Sequence, residues 1–128
     1  FNPFNTYLSK GIRWTSGSDF NVTPFPARYG ICSSVARETL NGVYGKTPFG
    51  TTEAVSVQVA LRSYTAWAAS QLFLEEQIGS IAAGKRADLA IWDRNPYTVP
   101  TADLKGMRCE MTLFDGQIVH KTEAFVLE

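Results

Sequence analysis

The residues able to do chemistry in this sequence are few, and one of them stands where it could be used. Asp19 lies in Trp14-Thr15-Ser16-Gly17-Ser18-Asp19-Phe20, a stretch with two readings. A carboxylate at the end of a short strand can accept a proton from an attacking water. The same residues also suit a turn, because Gly takes positive φ and Asp or Ser bonds its own backbone, and taken alone the stretch favours the turn. The single histidine, His120, sits in the alternating run Gln117-Ile118-Val119-His120-Lys121 with no second ligand nearby, and is read as structural. Cys32 and Cys109 show neither CxxC nor Cys/His spacing and read as buried free thiols, with pairing left open. Lys85, Arg86 and Asp88 crowd a turn, where Lys85 and Asp88 are expected to fix the backbone by hydrogen bonds.

The elements that must position these residues change character along the chain. Residues 3 to 10 read as the end of a helix leading to Gly11, and Ile12 to Thr15 as a short strand. Phe20 to Gly30 holds Asn21, Pro24, Pro26 and Gly30 and reads as an irregular loop, followed by a helix from Ile31 to Leu40. Strand, loop and helix in that order form a βα unit. After a Gly-rich loop from Asn41 to Gly50, Ser56 is a plausible N-cap. Val57, Ala60, Leu61, Tyr64 and Ala68 then recur on one helical face that Trp67 and Phe73 extend, a stripe read as core. From Ile78 the period is that of strands. Ile78 to Ile81 is a short one, Ala83-Gly84 a turn, Ala87 to Asp93 a second strand, and Met107 to Phe114 a third. Asp115-Gly116 is a type I′ pair that returns the chain through Gln117 to Lys121.

Composition narrows the function classes. The 128 residues are 45% hydrophobic and 19% charged, with twelve basic and twelve acidic side chains. That suits one domain and falls near half of the roughly 250 residues of a complete βα barrel. Without a net basic charge or a basic run, neither nucleic acid nor an anionic membrane is an expected partner. No apolar run approaches the roughly 18 residues that span a bilayer. The cytoplasm is the expected compartment, with secretion of a longer parent left open, since the chain starts at Phe1 and reads as a piece of something larger.

The run Ile78-Gly79-Ser80-Ile81, then Gly84-Lys85-Arg86-Ala87-Asp88-Leu89-Ala90-Ile91-Trp92-Asp93-Arg94-Asn95-Pro96, resembles the tail signature of the amidohydrolase superfamily, and more narrowly of amidohydrolase family 3. Ala60 to Ala69 resembles the helix that precedes this signature, and Thr112 to Val119 the closing hairpin. The resemblance implies a metal-dependent hydrolase with a TIM-like barrel and a small β-sandwich built from both ends of the chain. Residues 1–77 would be the end of the barrel, with strand 8, a long loop and helices. Residues 78–128 would be the C-terminal share of the sandwich.

On that resemblance Asp19 is the carboxylate at the end of the last barrel strand, both catalytic and near the metal, and the balance between turn and catalytic acid reverses. A divalent cation, zinc first among the choices, would lower the pKa of bound water toward about 7 while the carboxylate moves its proton. Phe20, Asn21, Val22 and Phe25 are candidates to line the substrate pocket, with packing under the helix the equal alternative. The family's His-x-His pair and later histidines have no counterpart here. The expected function is therefore that of the C-terminal part of an amidohydrolase acting on a small amide or related C–N bond, inactive by itself and holding no metal alone. The alternative is a non-catalytic regulatory or assembly module of the same descent, resembling an exoenzyme regulator. A last barrel unit leaves strand edges and apolar faces bare, so a homo-oligomer is expected.

Overall fold

The computed structural model describes residues 2–40, 42 and 47–126. Part of the expected loop from Asn41 to Gly50 therefore lies outside the described residues. The described chain has four α-helices, α1 (Phe4–Ser9), α2 (Ala27–Ala36), α3 (Val57–Tyr64) and α4 (Ala66–Gln71), followed by three strands, β1 (Leu89–Trp92), β2 (Cys109–Phe114) and β3 (Gln117–Lys121). Short 3-10 helices occupy Thr51–Glu53 and Thr101–Gly106.

The first helix ends as its residues suggest, with Gly11 at φ 68 after Lys10. The expected strand Ile12–Thr15 is not one: no described strand lies beside it to supply a ladder, and Ser16 N–H instead donates to Ser63 O at 3.1 Å. The second helix begins and ends about four residues earlier than its expected span of 31–40. Pro26 is extended (ψ 126) and hands directly into it, and Arg37, at φ 57, ends it in the left-handed region. Gly30 is helical here for a packing reason, because a Cβ at that position would strike the Tyr64 hydroxyl of α3. The glycine allows two helices to approach closely rather than breaking one.

Ser56 caps α3 as anticipated, accepting from Val59 N–H at 3.3 Å. The expected continuous face from Val57 to Ala68 is interrupted at Thr65 (φ −127, ψ −95), which separates α3 from α4. Trp67 does extend the apolar surface, packing edge-on against Trp14 with centroids 4.9 Å apart. Phe73 does not: it is 89% exposed at φ 58. Leu74 N–H bonds Ala69 O at 2.9 Å and Phe73 N–H bonds Ser70 O at 3.1 Å, the paired closure of a Schellman motif, so the backbone turns Phe73 outward.

Residues 78–81 are also not a strand; Gly79 (φ 86) packs under the Thr65 break and Ile81 is exposed. Lys85 Nζ donates to Glu75 O and to Ser80 Oγ, and Asp88 Oδ1 accepts from Asp115 N–H at 2.7 Å. Lys85 thus ties down the backbone leading into its turn as expected, while the Asp88 carboxylate fastens the Asp115-Gly116 hairpin rather than its own turn. The sheet is antiparallel in the order β1-β2-β3, and the hairpin turns on Asp115 (φ 49) and Gly116 (φ 78), both positive as a type I′ pair requires. Two small cores meet at α2. Ile31 packs with Val55 and Ala60, while its neighbour Cys32 packs with Leu104 and Met107.

Candidate functional site

The segment carrying Asp19 is held at three levels. At its base, Trp14 stacks on Phe4 at 5.0 Å and meets Trp67, so the chain leaves α1 wedged between aromatic rings. One turn further on, Ser16 is tied to α3 through its backbone N–H and through a 2.9 Å contact between its hydroxyl and that of Ser63. Beyond Gly17 the loop closes on itself: Thr23 N–H bonds Ser18 O at 3.2 Å, the Thr23 hydroxyl also donates to Ser18 O, and Val22 N–H bonds Asp19 O at 2.7 Å.

Asp19 sits at the head of this closed loop with φ 48, a conformation that Asp tolerates better than most side chains, and it is exposed. Phe20, Asn21, Val22 and Phe25 are also exposed, and the rings of Phe20 and Phe25 meet at right angles 6.2 Å apart. A cleft of about 510 Å³ opens beside the base of this loop, lined by Trp14, Ser16, Thr23, Tyr29, Arg37 and Tyr64 among others. Asp19 and the four loop candidates are not among its lining residues.

Ionisable groups near the cleft are shifted by ordinary causes. Burial lowers the Arg37 guanidinium, opposed by Glu53, and burial raises the Tyr64 hydroxyl. Glu53 is held below its usual range by the hydroxyl and N–H of Thr6, at 2.6 and 2.8 Å. On α2, burial pushes the Cys32 thiol up, and both cysteines are free. Asp93 is lowered first by the backbone N–H of Arg108, at 2.9 Å.

The donor set does not fit a metal centre. Among the described residues no three of His, Cys, Asp and Glu come together as ligands, and His120 lies exposed on β3 opposite Thr112. A catalytic zinc takes three protein ligands, more than a single carboxylate such as that of Asp19 could supply. No described helix is long and apolar enough to cross a membrane. Sequence reasoning missed Ser16, Ser63 and Thr23, the residues that hold the Asp19 loop. The only signal for Ser63 was its place three residues after Ala60, on a helix face read as plain core.

Helices packed beside a small antiparallel sheet place the chain among mixed α and β folds. Its family is shown by comparison: the chain matches the model of the Amidohydrolase family over residues 1–120, and it belongs to that family of metal-dependent hydrolases. N-substituted formamide deformylase of Arthrobacter pascens is 34% identical over 114 residues, 89% of this chain and 20% of the relative. The 5-methylthioadenosine/S-adenosylhomocysteine deaminase of Thermodesulfovibrio yellowstonii is 30% identical over 103 residues, 80% of this chain and 22% of the relative. The amidohydrolase from Thermotoga maritima MSB8 superposes with a TM-score of 0.69 at 22% identity, over 93% of this chain and 26% of that one, a likeness of fold. The chain thus spans about a fifth of the length of these curated relatives.

Proposed function

We propose that these residues are the closing part of a hydrolase that cleaves an amide or related C–N bond of a small molecule, with Asp19 as the carboxylate that takes the proton of the attacking water and passes it to the leaving nitrogen. The observation that carries the reading is the family match across residues 1–120, together with an exposed Asp19 at the head of a loop that its own backbone closes. Residues 1–77 are read as the barrel's last unit and 78–128 as a share of its sandwich. The relatives are four to five times as long as the stretch they share with this chain.

Members of this family use a divalent metal, and the described donors cannot hold one. The ligands for such an ion would come from a longer protein carrying these residues. The 128-residue chain alone is then inactive, and the loop residues Phe20, Asn21, Val22 and Phe25 face substrate only in the longer protein. The test is a parallel amidase assay, with metal analysis, of the full-length protein and of the 128-residue chain. Turnover confined to the full-length protein is expected. Hydrolysis by the isolated chain, or a full-length protein that binds no metal and cleaves no C–N bond, contradicts the reading, and the second result favours a non-catalytic module.

A further inference from the structure

We infer that Ser63 is a positioning residue for the proton transfer assigned above to Asp19; the inference rests on that assignment. Ser63 is 1% exposed, where an unpartnered hydroxyl is costly. Its Oγ lies 2.7 Å from Ala60 O and 2.9 Å from Ser16 Oγ. Ala60 O can only accept, so when both bonds form the single Ser63 proton goes there and the Ser16 hydroxyl donates to Ser63 Oγ. The bond to Ala60 alone would satisfy a buried serine. The second bond does something else: with Ser16 N–H donating to Ser63 O at 3.1 Å, it grips both the backbone and the side chain of a residue three positions before Asp19.

Only Gly17 separates this anchor from the closed loop, and nothing lies within 4 Å of where its Cβ would be. Steric packing at Gly17 therefore cannot hold the direction in which the loop leaves, and the serine pair does. A displacement of about 1 Å at a reacting group can lower turnover about a hundredfold, so a loosened anchor should register in rate before it registers in binding.

The test is a double-mutant cycle in the full-length protein, with an N-alkylformamide as probe and formate release as readout. Ser63→Ala should lower kcat by about tenfold with KM nearly unchanged, and the same change in an Asp19→Asn background should have no further effect, because the positioned group is gone. An equal loss in both backgrounds, or no loss in the single variant, overturns the inference while leaving Asp19 in place. An Asp19→Asn variant with unchanged kcat overturns the catalytic reading itself, and the inference with it. Ser16→Ala breaks the same bond from the less buried side and is run through the same cycle should Ser63→Ala fail to fold. Amide exchange gives a readout independent of the probe. Either serine variant should speed exchange at Val22 and Thr23 with α2 unchanged, and unchanged exchange at those two amides overturns the inference whatever the turnover.

Discussion

Phe73 occupies a position that its backbone reserves for glycine, and replacing it should stabilise the protein. It is the first residue beyond the C-cap of α4, at φ 58, and the two Schellman bonds from Phe73 and Leu74 fix it there. A non-glycine residue in the left-handed region costs about 1–2 kcal/mol. With the side chain 89% exposed, little burial is lost on removing it. Glycine brings back roughly 0.5–1 kcal/mol of unfolded-state entropy against folding. The net expectation for Phe73→Gly is a gain of about 0.5–1 kcal/mol, near 2–4 °C in Tm for a chain of this size. Urea unfolding measures it, with Phe73→Ala as the control. Alanine keeps the Cβ and thus the strain, and should stay within about 0.5 kcal/mol of the parent. A loss of stability in the glycine variant, or equal gains for glycine and alanine, would refute backbone strain as the cause.

Gly79→Ala should act in the opposite direction. Its Cβ would sit 2.5 Å from Ala69 Cβ and 3.1 Å from Thr65 O at φ 86, so about 2–4 kcal/mol should be lost in the same unfolding assay. Glu53 supplies a pH dependence. Its folded pKa lies below the ordinary 4.5, so its contribution is complete above that value and is lost as pH falls through the folded pKa. Stability of the parent should therefore fall more steeply than that of Glu53→Gln on acidification below about pH 4.5, with Asp93 adding a slope of the same sign to both. Sedimentation of the isolated chain should show self-association, since Phe20, Val22 and Phe25 are each more than 70% exposed; a monodisperse monomer contradicts this.

What the sequence revealed depended on how local the deciding interaction was. The Ser56 cap, the Asp115-Gly116 hairpin and the Lys85 contacts to Glu75 and Ser80 are set by residues within about ten positions or by a turn type with one chemical solution, whereas Asp88 acts on the Asp115 N–H, 27 residues away. Gly30 looked like a breaker because the reason for it, the Tyr64 hydroxyl, lies 34 positions away on another helix. Ile12–Thr15 had strand composition but depends on a neighbour that composition cannot supply. Phe73 followed an apolar stripe that ends two residues earlier, once the helix closes at Gln71. Asp19 was legible as a carboxylate at a turn, and its loop closure was not, because Thr23 acts through a backbone carbonyl and Ser63 through a contact across 47 residues.

The central claim is that Asp19 carries the proton in C–N bond hydrolysis, and the kcat of Asp19→Asn in the full-length protein, measured at matched metal content, tests it most directly. A general base contributes about 10²–10⁴-fold, so kcat should fall by at least about a hundredfold, with the fold and thermal stability retained because the side chain is exposed. Unchanged turnover at full metal occupancy would contradict it and return Asp19 to being an acid in a turn.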